Sequence, residues 1–294
     1  MKEKPSARLN QNDNLSPRPR WRLQNKHEER ELFDRIADRT ENFESLSEKA
    51  FKQLLETLSM SGIKLEGEVL ELGCGTGAFG RRLASRNYEI QVMGIDISPK
   101  MVNLANKLAT DRFEAKVGDM NNPALFSPQT FDAVVACMSL HHLSDLSQVF
   151  KNIKYWLRNG GQLLFIEPNG SCPVNKLSKI IRRLLVLISG DYFVRHRSLF
   201  SIGETDHTIR TYMTFLNLHN FKIKMIKSFY GYYECMLPAM IKDAKRRMGL
   251  LSYADVRRLL WKTSYRLLPE PFGGGVIMVM ARLRKNAKAL CGDT

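Results

Sequence analysis

The chain has 294 residues, 44% hydrophobic and 26% charged, and its 45 Lys and Arg against 30 Asp and Glu give a formal net charge of +15. This is enough apolar material for one large domain with a real core, and no apolar run approaches the ~18 residues that a membrane-spanning helix needs. The opening Met1–Pro5 carries no apolar segment, and none of the five cysteines forms a C-x-x-C pair, so neither a secretory leader, a disulfide framework nor a zinc knuckle is expected, and a reduced cytoplasmic setting is.

Residues 1–26 are polar, basic and proline-containing, and read as a disordered arm with Trp21 as its one large apolar side chain. From His27, the residues Leu32, Phe33, Ile36 and Ala37 give a helical stripe, and a second helix is expected from about Leu46 to Ser59, with Phe51, Leu54, Leu55 and Leu58 inward. Val69, Leu70 and Leu72 then form a buried strand that runs into Gly73-Cys74-Gly75-Thr76-Gly77, with a helix pattern following at once. Strand, glycine turn and helix together let backbone approach a ligand closely, because no Cβ intervenes.

The spacing Gly75-x-Gly77-x-x-Gly80 fits a dinucleotide fingerprint, but Glu71, two residues before the first glycine, argues for another ligand. A carboxylate there repels a pyrophosphate and attracts an ammonium group. S-adenosylmethionine carries an ammonium and a sulfonium and no phosphate.

The next strand, Gln91–Asp96, ends in an acid about twenty residues past the glycines, where a carboxylate can accept two ribose hydroxyls. Ser98-Pro99 is a strong helix start, with Met101, Val102, Leu104, Ala105 and Leu108 inward. A short strand, Ala115–Met120, contains a third acid, Asp119. Phe131–Cys137 is a fourth strand, followed by Met138-Ser-Leu-His141-His142 and a helix from about Ser147 to Leu157. Asn159-Gly160-Gly161 is expected to end that helix before strand Gln162–Glu167. Beyond it come a helical stripe (Val174, Leu177, Ile180, Ile181, Leu184, Leu185, Ile188), a helix over about Thr208–Asn220, strand Phe221–Phe229, some forty intervening residues including Tyr232 and Tyr233, and a last strand, Gly275–Leu283. The intervening stretch holds a second amphipathic helix, opening with the capping box Ser252-x-x-Asp255 and flanked by Arg257, Arg258, Lys262 and Arg266.

Glu-Leu-Gly-Cys-Gly-Thr-Gly at 71–77 resembles the first motif of the class I S-adenosylmethionine-dependent methyltransferases, of the small-molecule, ubiquinone-biosynthesis-like branch, and the likeness runs from about Glu28 to Leu283. It implies an α/β fold: a Rossmann-like, doubly wound, seven-stranded, mostly parallel sheet with the last strand antiparallel. Residues 27–283 would form the domain, helical insertions at about 171–206 and 231–274 an acceptor cap, and 284–294 a tail. It also implies that Asp119 takes the adenine amino group and that Met120 packs on the ring. The leading helix would then belong to a lid over the cofactor; the alternative is a helix that only covers the sheet. The expected cofactor set is Glu71, Gly73, Cys74, Gly75, Gly77, Asp96, Ile97, Asp119, Met120 and Cys137.

Methyl transfer from a sulfonium asks for alignment and exclusion of water, and for a base only when the nucleophile is a hydroxyl. His141 is the candidate base, and His142, Glu167, Tyr232 and Tyr233 are candidate acceptor contacts; Glu204, Asp206 and His207 are expected at the surface. No cluster of metal ligands can be assembled, so no metal is expected. The Asn/Asp-Pro-Pro-aromatic motif of amino-methylating nucleic-acid enzymes is absent, where Ala136–His141 stands, which argues against nucleic acid as the target.

The expected activity is methylation of an O or N atom on a small hydrophobic or lipid-like acceptor, with an anionic membrane surface as a candidate partner given the basic faces of the two insertions. An RNA- or protein-directed enzyme, or a non-catalytic membrane- or RNA-associated adaptor, stays open as the alternative.

Overall fold

The computed structural model describes residues 26–38, 48–60, 64–177, 180, 205–229, 260 and 262–285. The arm at 1–25, Tyr232 and Tyr233, Glu204, most of both insertions and the tail lie outside them. In chain order the elements are α1 (Lys26–Ala37), α2 (Glu48–Met60), β1 (Gly67–Leu72), α3 (Ala78–Arg86), β2 (Ile90–Asp96), α4 (Pro99–Lys107), β3 (Phe113–Val117), β4 (Phe131–Cys137), α5 (Ser147–Trp156), β5 (Leu157–Pro168), α6 (Ile209–Leu218), β6 (Phe221–Phe229) and β7 (Val276–Leu283).

The seven strands form one sheet in the order β3-β2-β1-β4-β5-β7-β6. The first five run parallel, and β7 lies antiparallel to both its neighbours. The expected doubly wound architecture is therefore present. It follows from the alternation of short apolar runs with helical stripes, since a parallel pair needs a crossover that packs on one face.

Two cores result, one on each face of the sheet. Phe51 and Leu54 of α2, Phe79 and Leu83 of α3, and Val102 and Ala105 of α4 close one face over Val69, Val92 and Val135. Val149, Phe150, Ile153 and Trp156 of α5, with Ile209, Tyr212 and Leu216 of α6, close the other over Leu70, Leu72, Val134 and Phe165. Strand alternation assigns Glu71 to the first face, between Val69 and Gly73.

Several boundaries differ from expectation. Strand β5 begins at Leu157 immediately after α5, so Asn159-Gly160-Gly161 lies inside the strand and does not stop the helix. Gly160 supplies the needed bend at φ 82°. Strand β3 ends at Val117, so Asp119 stands in the loop beyond it. Leu108, expected inward, caps α4 and is exposed, because the helix ends one residue earlier.

Candidate active site

The carboxyl ends of β1, β2, β3 and β4 meet at the reversal of strand order between β1 and β4, where sheets of this kind bind ligands. The floor of the site is the turn at Gly73–Gly77. Gly73, Gly75 and Gly77 all have left-handed backbone, with φ of 65°, 53° and 73°. A Cβ on Gly73 would lie 2.5 Å from Ser139 Cβ, whereas one on Gly75 would meet nothing within 4 Å. The middle of the turn therefore faces open space, and its flanks are packed.

Asp96 ends β2 beside this turn. Its Oδ2 accepts from the Gly75 N–H at 2.9 Å, and its Oδ1 from the Ser98 N–H at 2.9 Å. Burial pushes the Asp96 carboxyl above the usual range, while the Ser98 and Gly75 N–H groups, and then the positive potential of His142, oppose that rise. Each oxygen has one partner and keeps a further acceptor direction.

Glu71 is more deeply placed. It is 2% exposed and lies against Gly80 in the first turn of α3, with Oε2 lacking any hydrogen-bond partner. Burial raises its pKa to about 8; the Gly80 backbone N–H pulls against this, the nearby Asp96 adds to it, and Arg81 opposes it. A buried carboxyl with one oxygen unpartnered behind a glycine turn is what a cationic ligand group would compensate. Cys74 is buried beside Gly94, and burial likewise pushes its thiol up.

Asp119 is half-buried beyond β3. Its Oδ1 accepts from the Asn121 N–H at 2.9 Å, and its Oδ2 pairs with Lys26 Nζ of α1 at 2.5 Å. Met120 follows, its methyl group lying 3.6 Å from the position of a Cβ on Gly73, and its carbonyl held by Asn152 Nδ2 at 2.9 Å. Ile97 is half-buried at the end of β2, and Cys137 is buried at the end of β4.

The loop after β4 departs from the sequence reading. Glu167 is fully buried, and its carboxylate gathers the N–H groups of Ser139 (2.9 Å), Leu140 (2.7 Å) and His141 (3.2 Å) together with His141 Nδ1 (2.8 Å). Expected as an acceptor contact, Glu167 instead builds the loop, since a buried charge must be surrounded by donors. Ser139 Oγ ties the same loop to the Leu72 carbonyl at 2.7 Å. His141, the expected base, is 3% exposed and engaged with Glu167. His142 is the histidine at the rim, its side chain 18% exposed and its ring edge-on to Phe33 at 5.2 Å.

Helix α1 lies across this edge. Besides Lys26, its Glu29 Oε1 reaches His142 Nδ1 at 2.6 Å, its Asp34 Oδ1 accepts from Ser98 Oγ at 2.5 Å, and its Asp38 pairs with Lys100 Nζ at 2.6 Å. The Asp34 contact also sits at the N-terminus of α4, where a carboxylate is favoured by the helix dipole. Lys26, Glu29, Asp34, Ser98 and Ser139 were not among the expected site residues. The acidic face of α1 was the available signal, but its partners lie 62 to 113 positions away, beyond any local pattern. His207, expected at the surface, is buried with Nε2 on the Leu143 carbonyl at 2.7 Å, and burial lowers its pKa.

Among the described residues no group of three His, Cys, Asp or Glu side chains is placed to hold a metal ion. Nor is any helix there long and apolar enough to cross a membrane.

Comparison with known proteins agrees with this geometry. A family model described as a methyltransferase domain matches residues 69–161. Phosphoethanolamine N-methyltransferase 1 of Triticum aestivum is 30% identical over 125 residues, 42% of this chain and 25% of that protein. Demethylmenaquinone methyltransferase of Thermotoga maritima is 29% identical over 175 residues, 55% of this chain and 74% of that one. The chain thus spans only about a quarter of the wheat enzyme and less than half of the Paenibacillus malonyl-[acyl-carrier protein] O-methyltransferase it also matches (43%).

Among solved structures, the [4+2]-cyclase SpnF superimposes with a TM-score of 0.58 at 16% identity, covering 90% of this chain and 98% of that one. A Streptomyces coelicolor geranyl diphosphate C-methyltransferase complexed with Mg2+, geranyl diphosphate and S-adenosyl-L-homocysteine gives 0.54 at 15% identity, covering 80% and 78%. Likeness at that level shows the fold alone, and a cyclase among the neighbours makes the point that chemistry must be argued from the site. The glycine turn, Asp96 at the end of β2 and the matched segment agree: over residues 69–161 this chain is similar to methyltransferase domains.

Proposed function

We propose that the protein transfers a methyl group from S-adenosylmethionine to an oxygen or nitrogen atom of a small, hydrophobic or lipid-like acceptor. The observation that carries this reading is the conjunction at one sheet edge of an open glycine backbone at Gly75 with Asp96 hydrogen-bonded beside it and the buried Glu71 carboxyl, its Oε2 unpartnered, behind it. S-adenosylmethionine supplies a methyl group activated on a sulfonium.

The chain's own residues divide the remaining work. Glu71 compensates the ligand's ammonium, and Asp96 accepts ribose hydroxyls with the acceptor directions left on its oxygens. Asp119, once released by Lys26, accepts from the adenine amine, and Met120 gives the ring a soft apolar surface. Gly75 leaves room for the backbone to approach. Where the nucleophile is a hydroxyl, its proton passes to His142 at the rim while its oxygen lone pair forms the new bond to carbon, and sulfur keeps the electron pair of the bond that breaks. His141, held by Glu167, shapes the loop beneath.

The hydrophobic character of the acceptor is supported by apolar side chains exposed on the described parts of the two insertions. Leu177, Ile180, Leu260, Leu267 and Phe272 are all exposed. The two segments are stitched together by Asn169 Nδ2, which donates to the Pro271 and Gly274 carbonyls at 2.9 and 2.8 Å, and by Asn175 Nδ2, which donates to the Gly275 carbonyl at 2.8 Å. Lys176, Lys262 and Arg266 are exposed beside them, which suits delivery of the acceptor from an anionic membrane surface.

Calorimetric titration with S-adenosylhomocysteine tests the core of the proposal. Wild type is expected to bind, and a variant carrying Glu71→Ala and Asp96→Ala to lose at least ~100-fold in affinity, about 2.7 kcal/mol. Unchanged affinity in the double variant would remove the assignment.

A further inference from the structure

Charge is unevenly matched across this molecule. Lys26, Lys64, Arg82, Lys100 and Arg158 each meet a carboxylate. Helices α5 and α6 and strands β6 and β7, by contrast, hold seven Lys and Arg and no Asp or Glu. Among the described residues, Lys151, Lys154, Lys222, Arg284 and Lys285 are all exposed and none of them pairs with a carboxylate.

These cations gather at one corner, where the second half of α5 meets the end of α6, β6 begins and β7 ends. His219, just past α6, lies beside α5: burial lowers the pKa of its imidazole, and the positive potentials of Lys154 and Lys151 lower it further. The Arg284 N–H donates to the Asn220 carbonyl at 3.1 Å, which brings the end of β7 to the same place. Lys222 stands directly opposite Arg282 in the β6–β7 ladder. Like charges so placed oppose folding, and a chain that keeps them without a carboxylate nearby points to an anion from outside. Apolar side chains stand among the cations. Leu218 is 70% exposed and Tyr155 47%. Tyr155 lies four positions after Lys151 and one after Lys154, so the three share the outer face of α5. A phosphodiester chain would use the cations alone. A bilayer interface takes the whole set, with Tyr at headgroup level, the aliphatic side chain beneath and the Lys stems laid along it.

We propose that this corner is a docking surface for an anionic lipid bilayer, met through Lys151, Lys154, Tyr155, Leu218, Lys222 and Arg284. The inference rests on the membrane contact of the proposed function, to which it adds a second footing. Strand β6 runs from the corner to Phe229, nine residues and about 30 Å, and Gly274 of the second insertion lies against the Phe229 carbonyl. A bilayer lying along this edge strand meets unpaired cations at one end and the exposed Leu267 and Phe272 at the other. The corner supplies the attraction that salt screens, and the insertions the part that salt leaves.

The test is co-sedimentation of the full-length protein at low salt with vesicles of equal parts phosphatidylserine and phosphatidylcholine. Lys151→Glu with Lys154→Glu should lower partition at least ~10-fold. Lys52→Glu with Lys107→Glu removes the same net charge from helices on the opposite face of the sheet, and should change partition by no more than about 2-fold. Equal losses in the two double variants would reduce the effect to net charge and overturn the proposal, as would a wild type that stays in the supernatant. Binding of a mixed-sequence single-stranded RNA that the corner variant loses, with vesicle partition unmoved, would assign the surface to nucleic acid and overturn it too. Calorimetry with S-adenosylhomocysteine on the same proteins keeps the readings apart: both variants should bind as wild type does, which also shows that they fold. Vesicle binding lost in Leu267→Asp with Phe272→Asp but not in the corner variant removes the corner alone and leaves the contact made by the insertions.

Discussion

At the scale of single residues, Glu71 makes the sharpest demand. A carboxyl whose folded pKa is about 8, against 4.5 ordinarily, keeps its proton in the native state at pH values where the unfolded chain has released it. The folded state then binds more protons, so this group's contribution to stability falls as pH rises from about 4.5 and levels off above about 8. The ceiling on that loss is about 5 kcal/mol, from the size of the shift at ~1.4 kcal/mol per unit. Glu71→Gln removes the titration while keeping the shape. Thermal unfolding should place the variant well above wild type at about pH 8.5 and level with it at about pH 4.5, with weaker binding of S-adenosylhomocysteine throughout. A difference in stability that does not change with pH would mean that Glu71 is already ionised in the free protein. Asp96 differs, because its charge is met by two backbone N–H groups. Asp96→Asn leaves one of them facing an amide donor, and a loss of roughly 1–3 kcal/mol in stability is expected along with weaker binding of S-adenosylhomocysteine.

At the scale of elements, the glycine turn separates folding from binding. Gly73 and Gly75 share a left-handed backbone, on which a side chain costs roughly 1–2 kcal/mol. They differ in surroundings: a Cβ at Gly73 collides with Ser139, and one at Gly75 enters open space. Gly75→Ala should therefore fold with a loss of only about that backbone term and yet bind S-adenosylhomocysteine at least ~10-fold more weakly, because its methyl group projects over the turn. Gly73→Ala should lose more stability. Thermal melts and calorimetry on both variants check the contrast, and equal binding by Gly75→Ala and wild type would place the ligand elsewhere. The turn, its flanking strand and helix, and Asp96 at the end of β2 were all legible in the sequence, because each is written in adjacent residues: apolar run, glycine spacing, terminal carboxylate. Ser98 was legible as a cap, and its Oγ does accept from the Met101 N–H at 3.1 Å. What could not be read was the partner of a buried charge. Glu167 ends an apolar strand and looks available to an acceptor, but the donors that surround it come from a loop 26 to 28 positions earlier. For the same reason the sequence could not tell which of the two adjacent histidines is buried, since only the packing of α1 and β5 decides it.

At the scale of the whole molecule, the net charge of +15 and the exposed apolar side chains of the insertions have to be weighed together. Basic residues near an anionic bilayer contribute about 1 kcal/mol each, and that attraction is screened over roughly 8–10 Å at physiological salt. Burial of one exposed Leu or Phe side chain contributes about 1.5–3 kcal/mol and is not screened. Leu267 is 76% exposed and Phe272 46%, with Lys262 and Arg266 nearby in sequence and also exposed. If this surface meets a membrane, the two contributions separate in a salt series. Co-sedimentation with phosphatidylserine-containing vesicles should be strong at low salt and fall as salt is raised toward ~0.5 M, leaving a residual fraction held by apolar insertion. Leu267→Asp with Phe272→Asp should remove that residual fraction, lowering partition at least ~10-fold, while the salt-sensitive part survives. A protein held by charge alone would show the full salt response with no residue and no effect of the double substitution. One that stays in the supernatant at low salt would leave the apolar surface to the acceptor, and the insertions would then act as a cap over the site.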